Sequence, residues 1–185
     1  MPEMPRLSLL SPDPDDPVVA QVYDAFQREN RAPIALYRAL AHAPRMLQAY
    51  AGLARGLRYD ATTARSLREI VILRTARLVG STYEWAHHVP MAKAAGVRDD
   101  QIAALTDWRD SDALDAREKT VLRCVDEIHE HAVTDDSFAG LVGELGSEGA
   151  VEIVLLASFY QGVARTIQAL GLEIEPEYAP YLESW

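Results

Sequence analysis

Residues 60–96 read DATTARSLREIVILRTARLVGSTYEWAHHVPMAKAAG, and the fold is decided by this stretch. Apolar residues recur at helical spacing up to Val79, and Gly80 is a natural helix stop. A second helix restarts at once. Ser81 and Glu84 stand three apart, as in a capping box. In such a box the Ser81 hydroxyl accepts from the Glu84 N–H, and the Glu84 carboxylate reaches back to the Ser81 N–H. Two orphan donors are satisfied, and the acid complements the helix dipole. Pro90 costs this second helix one backbone hydrogen bond, and Gly96 ends it.

The same device repeats outward from there. Val18, Val19, Val22, Tyr23 and Phe26 recur at helical spacing after the acids of DPDDP, predicting a helix through about Gln27. RAPIALYRALAHAP predicts a short helix stopped near His42 by Pro44. Pro44 then opens PRMLQAYAGLARGLRY as its first residue, with Leu47, Tyr50, Leu53, Ala54 and Leu57 as the buried stripe. RDDQIAALTDW, LDAREKTVLRCVDEIHEHA and DDSFAGLVGEL supply three more helices. The last runs from about Ser147 to Leu170 and is too apolar for a single stripe, so it is expected at the centre of the core or at an interface. No run alternates with period two between turn residues. The expectation is an all-α, single-domain helical bundle over residues 18–172. An extended Pro- and Asp-rich segment, 1–17, precedes it, and an acidic, aromatic tail, 173–185, follows.

Composition limits the function. The chain has 185 residues, 49% of them hydrophobic, so a packed core is expected. A net charge of −10 argues against a nucleic-acid or anionic-membrane surface, which needs basic residues. Cys124 is the only cysteine, so no intramolecular disulfide and no cysteine-based zinc site can form, in keeping with a reducing cytoplasm. The N-terminal residues lack a long apolar run and do not read as a secretory signal. Glu152, Gln161, Arg165 and Gln168 interrupt the longest apolar stretch, which excludes it as a bilayer span.

Acid–base chemistry gathers on the second helix of the opening stretch. Glu84 and His88 are four apart and share a face. A carboxylate beside an imidazole that titrates near neutral pH suits proton transfer. His87, Tyr83 and Trp85 flank the pair, and Glu69 sits upstream among Leu67, Ile70, Val71, Ile72 and Leu73, with Arg65 and Arg68 as local ion-pair partners. Capping alone also accounts for Ser81 and Glu84. Glu84-x-x-His87 has the form of half a di-iron carboxylate site, but no second Glu-x-x-His occurs: Asp126 precedes His129 where a glutamate would stand. No metal is therefore expected. Cys124, beside Val121, Val125 and Ile128, reads as a buried, inert thiol. His129 and His131 read as a solvated helix end, and His42 as a helix-end residue. Tyr160 and Gln161 are possible polar handles in a cavity.

LREIVILRTARLVGSTYEWAHHVPMAKAAGVRDDQI resembles the carboxymuconolactone decarboxylase superfamily, which includes the alkylhydroperoxidase D-like proteins. A weaker likeness extends through LDAREKTVLRCVDEIHE and VEIVLLASFYQGVARTIQALGLE. The peroxidase branch carries a glutamate, two cysteines three apart, and a histidine four after the second cysteine. By that resemblance the glutamate falls on Glu69, the cysteines on Ser81 and Glu84, and the histidine on His88. Neither replacement can form the disulfide through which a thiol pair reduces peroxide, so peroxidase chemistry is disfavoured. The resemblance implies instead the decarboxylase branch, which works without metal or organic cofactor on small carboxylated lactones. It also implies a trimeric or hexameric homo-oligomer with the site near subunit contacts. The expected catalytic residues are His88, Glu84 and Glu69. His88 is the general acid or base, Glu84 orients and polarises it, and Glu69 is a second proton carrier or electrostatic partner. Ser81, Tyr83 and His87 are the expected substrate-binding residues. Two alternatives stay open: a catalytically silent oligomer that binds a ligand or partner, and residual peroxidase activity through Cys124.

Overall fold

The computed structural model describes residues 5–28 and 31–185. It is helical throughout, with no strand among the described residues. The helices are α1 (Pro17–Arg28), α2 (Ala35–Leu40), α3 (Pro44–Arg55), α4 (Arg65–Val79), α5 (Thr82–Ala94), α6 (Asp99–Ala104), α7 (Ala116–Glu130) and α8 (Asp135–Leu170). The two helices expected between Asp135 and Leu170 join into α8, which breaks at Gly146, where φ is 70° and ψ is 173°. That left-handed backbone suits glycine, so the boundary between the two expected helices survives as a kink.

The centre of the bundle is α4, rather than the last helix. All ten residues from Leu67 to Ala76 are buried, including Arg68, Glu69, Arg74 and Thr75. Helices α5, α7 and α8 pack around it. A helix covered on every side has no polar face, which explains why α4 lacks a clean amphipathic stripe. The second arm of α8 behaves as a one-sided helix. It buries Ile153, Leu156, Ala157, Tyr160, Val163 and Ile167 and exposes Val151 and Leu155.

Local chemistry fixes the joints that position the site. Pro44 opens α3 as its first residue. After α3 the chain widens into a π-helical turn, Gly56–Asp60, which carries Arg58. The following loop is held by Glu152 of α8. Its carboxylate accepts from the Thr62 and Thr63 N–H groups, at 2.7 and 2.9 Å, and from the Thr62 hydroxyl at 3.0 Å. The glutamate that interrupts the apolar run of α8 is therefore an anchor for the entry to α4. Gly80 closes α4 in the left-handed conformation, with φ of 69°. Asp115 and Glu118 form a complete capping box at the start of α7.

The terminal segments are pinned. The Arg6 and Leu10 N–H groups donate to the carbonyls of Leu170 and Arg38. The first four residues of the expected extended segment lie outside the described residues. The tail 173–185 folds back over α5 and ends in a 3-10 turn, Ala179–Ser184. No helix among the described residues is long and apolar enough to cross a membrane.

Candidate active site

The capping box at Ser81 is half formed. The Glu84 N–H donates to the Ser81 hydroxyl at 3.4 Å. The Ser81 N–H donates instead to the Ala76 carbonyl at 2.8 Å, completing the turn out of α4. The Glu84 carboxylate, displaced from its capping role, is only 2% exposed, and neither oxygen makes a hydrogen bond. Burial pushes its pKa up to about 8, with the neighbouring Ser81 hydroxyl opposing the rise only in part. At neutral pH Glu84 is therefore mainly a carboxylic acid, able to donate a proton.

His88 is oriented by Glu69, not by Glu84 as helix spacing suggests. Its Nδ1 lies 2.8 Å from Glu69 Oε2 across the α4–α5 interface. The second Glu69 oxygen forms an ion pair with Arg65. Burial disfavours the Glu69 charge, but the His88 ring and Arg65 hold its pKa below the usual carboxylate value. Burial holds the His88 imidazole below its usual value, while Glu69 pulls the other way. The arrangement these forces favour is an ionised Glu69 accepting from Nδ1–H of a neutral His88. The Nε2 lone pair is then left as a base. Arg68, expected as an ion-pair partner, instead donates to the carbonyls of Ala61, Thr63 and Arg58 and ties down the loop before α4.

Glu84 and His88 line one cavity of about 50 Å³ between α3, α5 and α8. Aromatic groups dominate its wall: Tyr37, Tyr50, Tyr83, Phe159 and Tyr160. The Tyr160 ring stands edge-on to His88, with centroids 5.0 Å apart. Arg58, which the sequence reading passed over, brings a guanidinium to the same cavity. Its position follows from the π-helical turn, for which α3 carries no obvious sequence signal. Glu69 is fully buried behind His88 and is absent from the wall.

Tyr83 and His87 also line the cavity, but their polar atoms are committed elsewhere. The Tyr83 hydroxyl donates to Glu175 Oε1 at 3.0 Å, and His87 Nε2 lies 2.8 Å from Glu175 Oε2. The His87 ring is sandwiched between Tyr83 and Tyr178, with centroids 4.4 and 3.8 Å away. Ser81 faces a separate outer groove of about 650 Å³, shared with His129 and the end of α8. Trp85 faces the tail, where its Nε1 donates to Ser184. Gln161 is absent from the cavity wall, and Tyr160 is part of it. Cys124 is buried in α7, where burial raises its thiol pKa. Among the described residues no cluster of histidine, cysteine and acid side chains could hold a metal ion.

Comparison with known proteins shows what the chain is similar to. Residues 44–127 match the model described as the carboxymuconolactone decarboxylase family, a span that contains Glu69, Glu84, His88 and Arg58. Over these residues the chain is similar to the carboxymuconolactone decarboxylase family. No curated protein matches it by sequence. Solved structures share the architecture. The debrominase Bmp8, as a cysteine-to-alanine variant in complex with 2,3,4-tribromopyrrole, superposes with a TM-score of 0.81 at 18% identity, covering 97% of this chain and 98% of its own. An uncharacterized peroxidase-related protein from Ralstonia eutropha, described as an alkylhydroperoxidase AhpD core, gives 0.79 at 17% identity and 95% coverage of both chains. A peroxidase-related protein from Silicibacter sp. gives 0.78 at 16% identity, covering 94% and 93%. At these identities the likeness is one of fold. In fold the chain is thus a helical bundle of the alkylhydroperoxidase D-like type, in which a serine and a buried acid precede the site histidine.

Proposed function

We propose that the chain is an acid–base enzyme acting on a small carboxylated or lactone-like metabolite. The observation that carries this reading is the placement of Glu84 and His88 on one cavity wall, where burial pushes the carboxyl up and the imidazole down. Environments that push two titratable groups in opposite directions divide the roles of acid and base. His88 Nε2 takes a proton from the substrate, with Glu69 holding the ring and balancing the imidazolium that forms. Glu84 delivers a proton to the carbon or oxygen where negative charge develops. In a decarboxylation, CO₂ departs, the electron pair stays on carbon, and the Glu84 proton quenches it. These steps ask for no metal or organic cofactor. Tyr83 and His87 shape the wall and tie it to the tail, whereas Ser81 acts on the helix start.

Small lactones and unsaturated carboxylic acids incubated with the protein in D₂O, followed by proton NMR, test the proposal. Deuterium uptake or CO₂ loss is expected for at least one member. His88→Ala and Glu84→Gln should lower it by about 10²-fold or more, the usual weight of a general acid or base. Full turnover in His88→Ala would remove His88 from the mechanism.

The assembly expected from the resemblance is also proposed. Val151 and Leu155, one turn apart on α8, are 54% and 49% exposed. Such a patch suits contact between copies of the chain. Light scattering coupled to gel filtration is expected to report a trimer or hexamer, and a monomer at all concentrations would contradict it.

A further inference from the structure

Arg58 is a cation without a counter-ion at the cavity. Its Nε donates to the Ala54 carbonyl at 3.2 Å, and its Nη2 lies 3.5 Å from the Tyr37 hydroxyl. Among the described residues no carboxylate forms an ion pair with it. The nearby carboxylate, Glu69, already serves Arg65 and His88. Counting charge around the cavity gives two guanidinia, Arg58 and Arg65, against one ionised acid, Glu69. Glu84 is protonated and His88 neutral, so one positive charge is left over, at Arg58, against an aromatic wall.

An arginine is always charged, and leaving that charge unpaired at an apolar wall is costly. The turn that carries it is also built to hold still. The Arg58 carbonyl accepts from Arg68 Nη2 at 3.0 Å and from Arg65 Nη1. A single π-helical turn in such a place is a recurrent mark of a functional position. Planar guanidinium donors match a planar oxyanion in geometry as well as in charge.

We infer that Arg58 is the anion-binding residue of the cavity, and that the site takes a small, flat organic monoanion with a carboxylate or enolate oxygen on the guanidinium. A neutral ligand leaves Arg58 unpaired. A dianion brings one charge that nothing in the cavity balances. The volume of about 50 Å³ is a third of the roughly 150 Å³ that accommodates a benzene ring, so short unsaturated acids fit better than substituted aromatic ones. The charge count rests on the protonated Glu84 of the proposed function.

The test compares crotonate, crotonamide and fumarate by ligand-observed NMR titration at pH 6.5. Crotonate is expected to bind the wild-type chain at least about tenfold more tightly than crotonamide or fumarate, the minimum for a charge-assisted pair. Arg58→Gln should erase that preference, and Arg58→Lys should keep part of it. Circular dichroism confirms that each variant folds. Equal binding of crotonate and crotonamide, binding of neither, or a preference that survives in folded Arg58→Gln each overturns the inference. If Arg58→Gln does not fold, the wild-type ratio alone decides. Glu84→Gln keeps that position uncharged and leaves the Arg58 charge unbalanced, so the crotonate preference should persist in that variant while turnover is lost. A lost preference with turnover intact refutes the anion site alone. A retained preference with no turnover of any substrate refutes the acid–base reading alone.

Discussion

The central residue is Glu84, because its environment contradicts its sequence context. Three residues after a serine at a helix start, a glutamate is expected to cap, yet the Ser81 N–H is already used by Ala76 and the carboxyl turns inward. The consequence for stability has a definite sign. The folded state keeps a proton that the unfolded chain releases near the ordinary value of 4.5, so Glu84 erodes stability as pH rises from there to about 8. Glu84→Gln is isosteric and cannot ionise. Its melting temperature relative to wild type should rise steadily between pH 5 and 8 and level off above. Glu69 has the opposite sign. Its contribution is present above its unfolded pKa and is lost as pH falls through its depressed folded value. Removing this carboxylate leaves Arg65 and His88 without their shared partner, so Glu69→Ala should cost about 3–5 kcal/mol by urea denaturation, the range for breaking a buried pair.

At the scale of elements, the site is a product of two joints and a strap. One joint is the π-helical turn after α3, which delivers Arg58; the other is the left-handed Gly80 between α4 and α5, which sets Glu69 against His88. Glu152→Ala frees the loop before α4 from α8 and should cost about 1.5–3 kcal/mol in denaturant unfolding, since its bonds to the loop are charge-assisted. The strap is the tail. Glu175 bonds the Ala35 N–H at 2.6 Å, Tyr83 at 3.0 Å and His87 at 2.8 Å, joining α2 to α5 beside the cavity. Glu175→Gln should speed hydrogen exchange in α2 and the first half of α5 while leaving α7 unchanged; equal protection in both proteins would sink the role of strap. Residues alone gave the helices, the Gly80 stop and the Pro44 start, because those signals are local. They could not give the Glu69–His88 bond, which joins positions 19 residues apart, or the Glu175 contacts, which join positions 88, 92 and 140 residues apart. Nor could they place Arg58, whose importance lies in a missing partner.

At the scale of the molecule, the bundle is organised around α4. Its ten consecutive buried residues include three charged ones, Arg68, Glu69 and Arg74, where an amphipathic reading expects only apolar side chains. The helical class and the family resemblance were readable because spacing and order survive where identity has fallen to 16–18%. The centre of the core was not, since α4 and the last helix are both strongly apolar and only packing separates them. Beside one cavity the bundle thus holds a carboxyl that burial pushes up and an imidazole that burial pushes down. Both groups stand on α5, one turn apart, on the same wall of the cavity. The most direct test is the titration of Glu84 itself, by carbon-13 NMR of glutamate-labelled protein with the resonance assigned through Glu84→Gln. The expected result is a carboxyl signal that stays protonated through pH 6 and titrates at about 8. A signal that titrates in the ordinary range near 4.5 would contradict it.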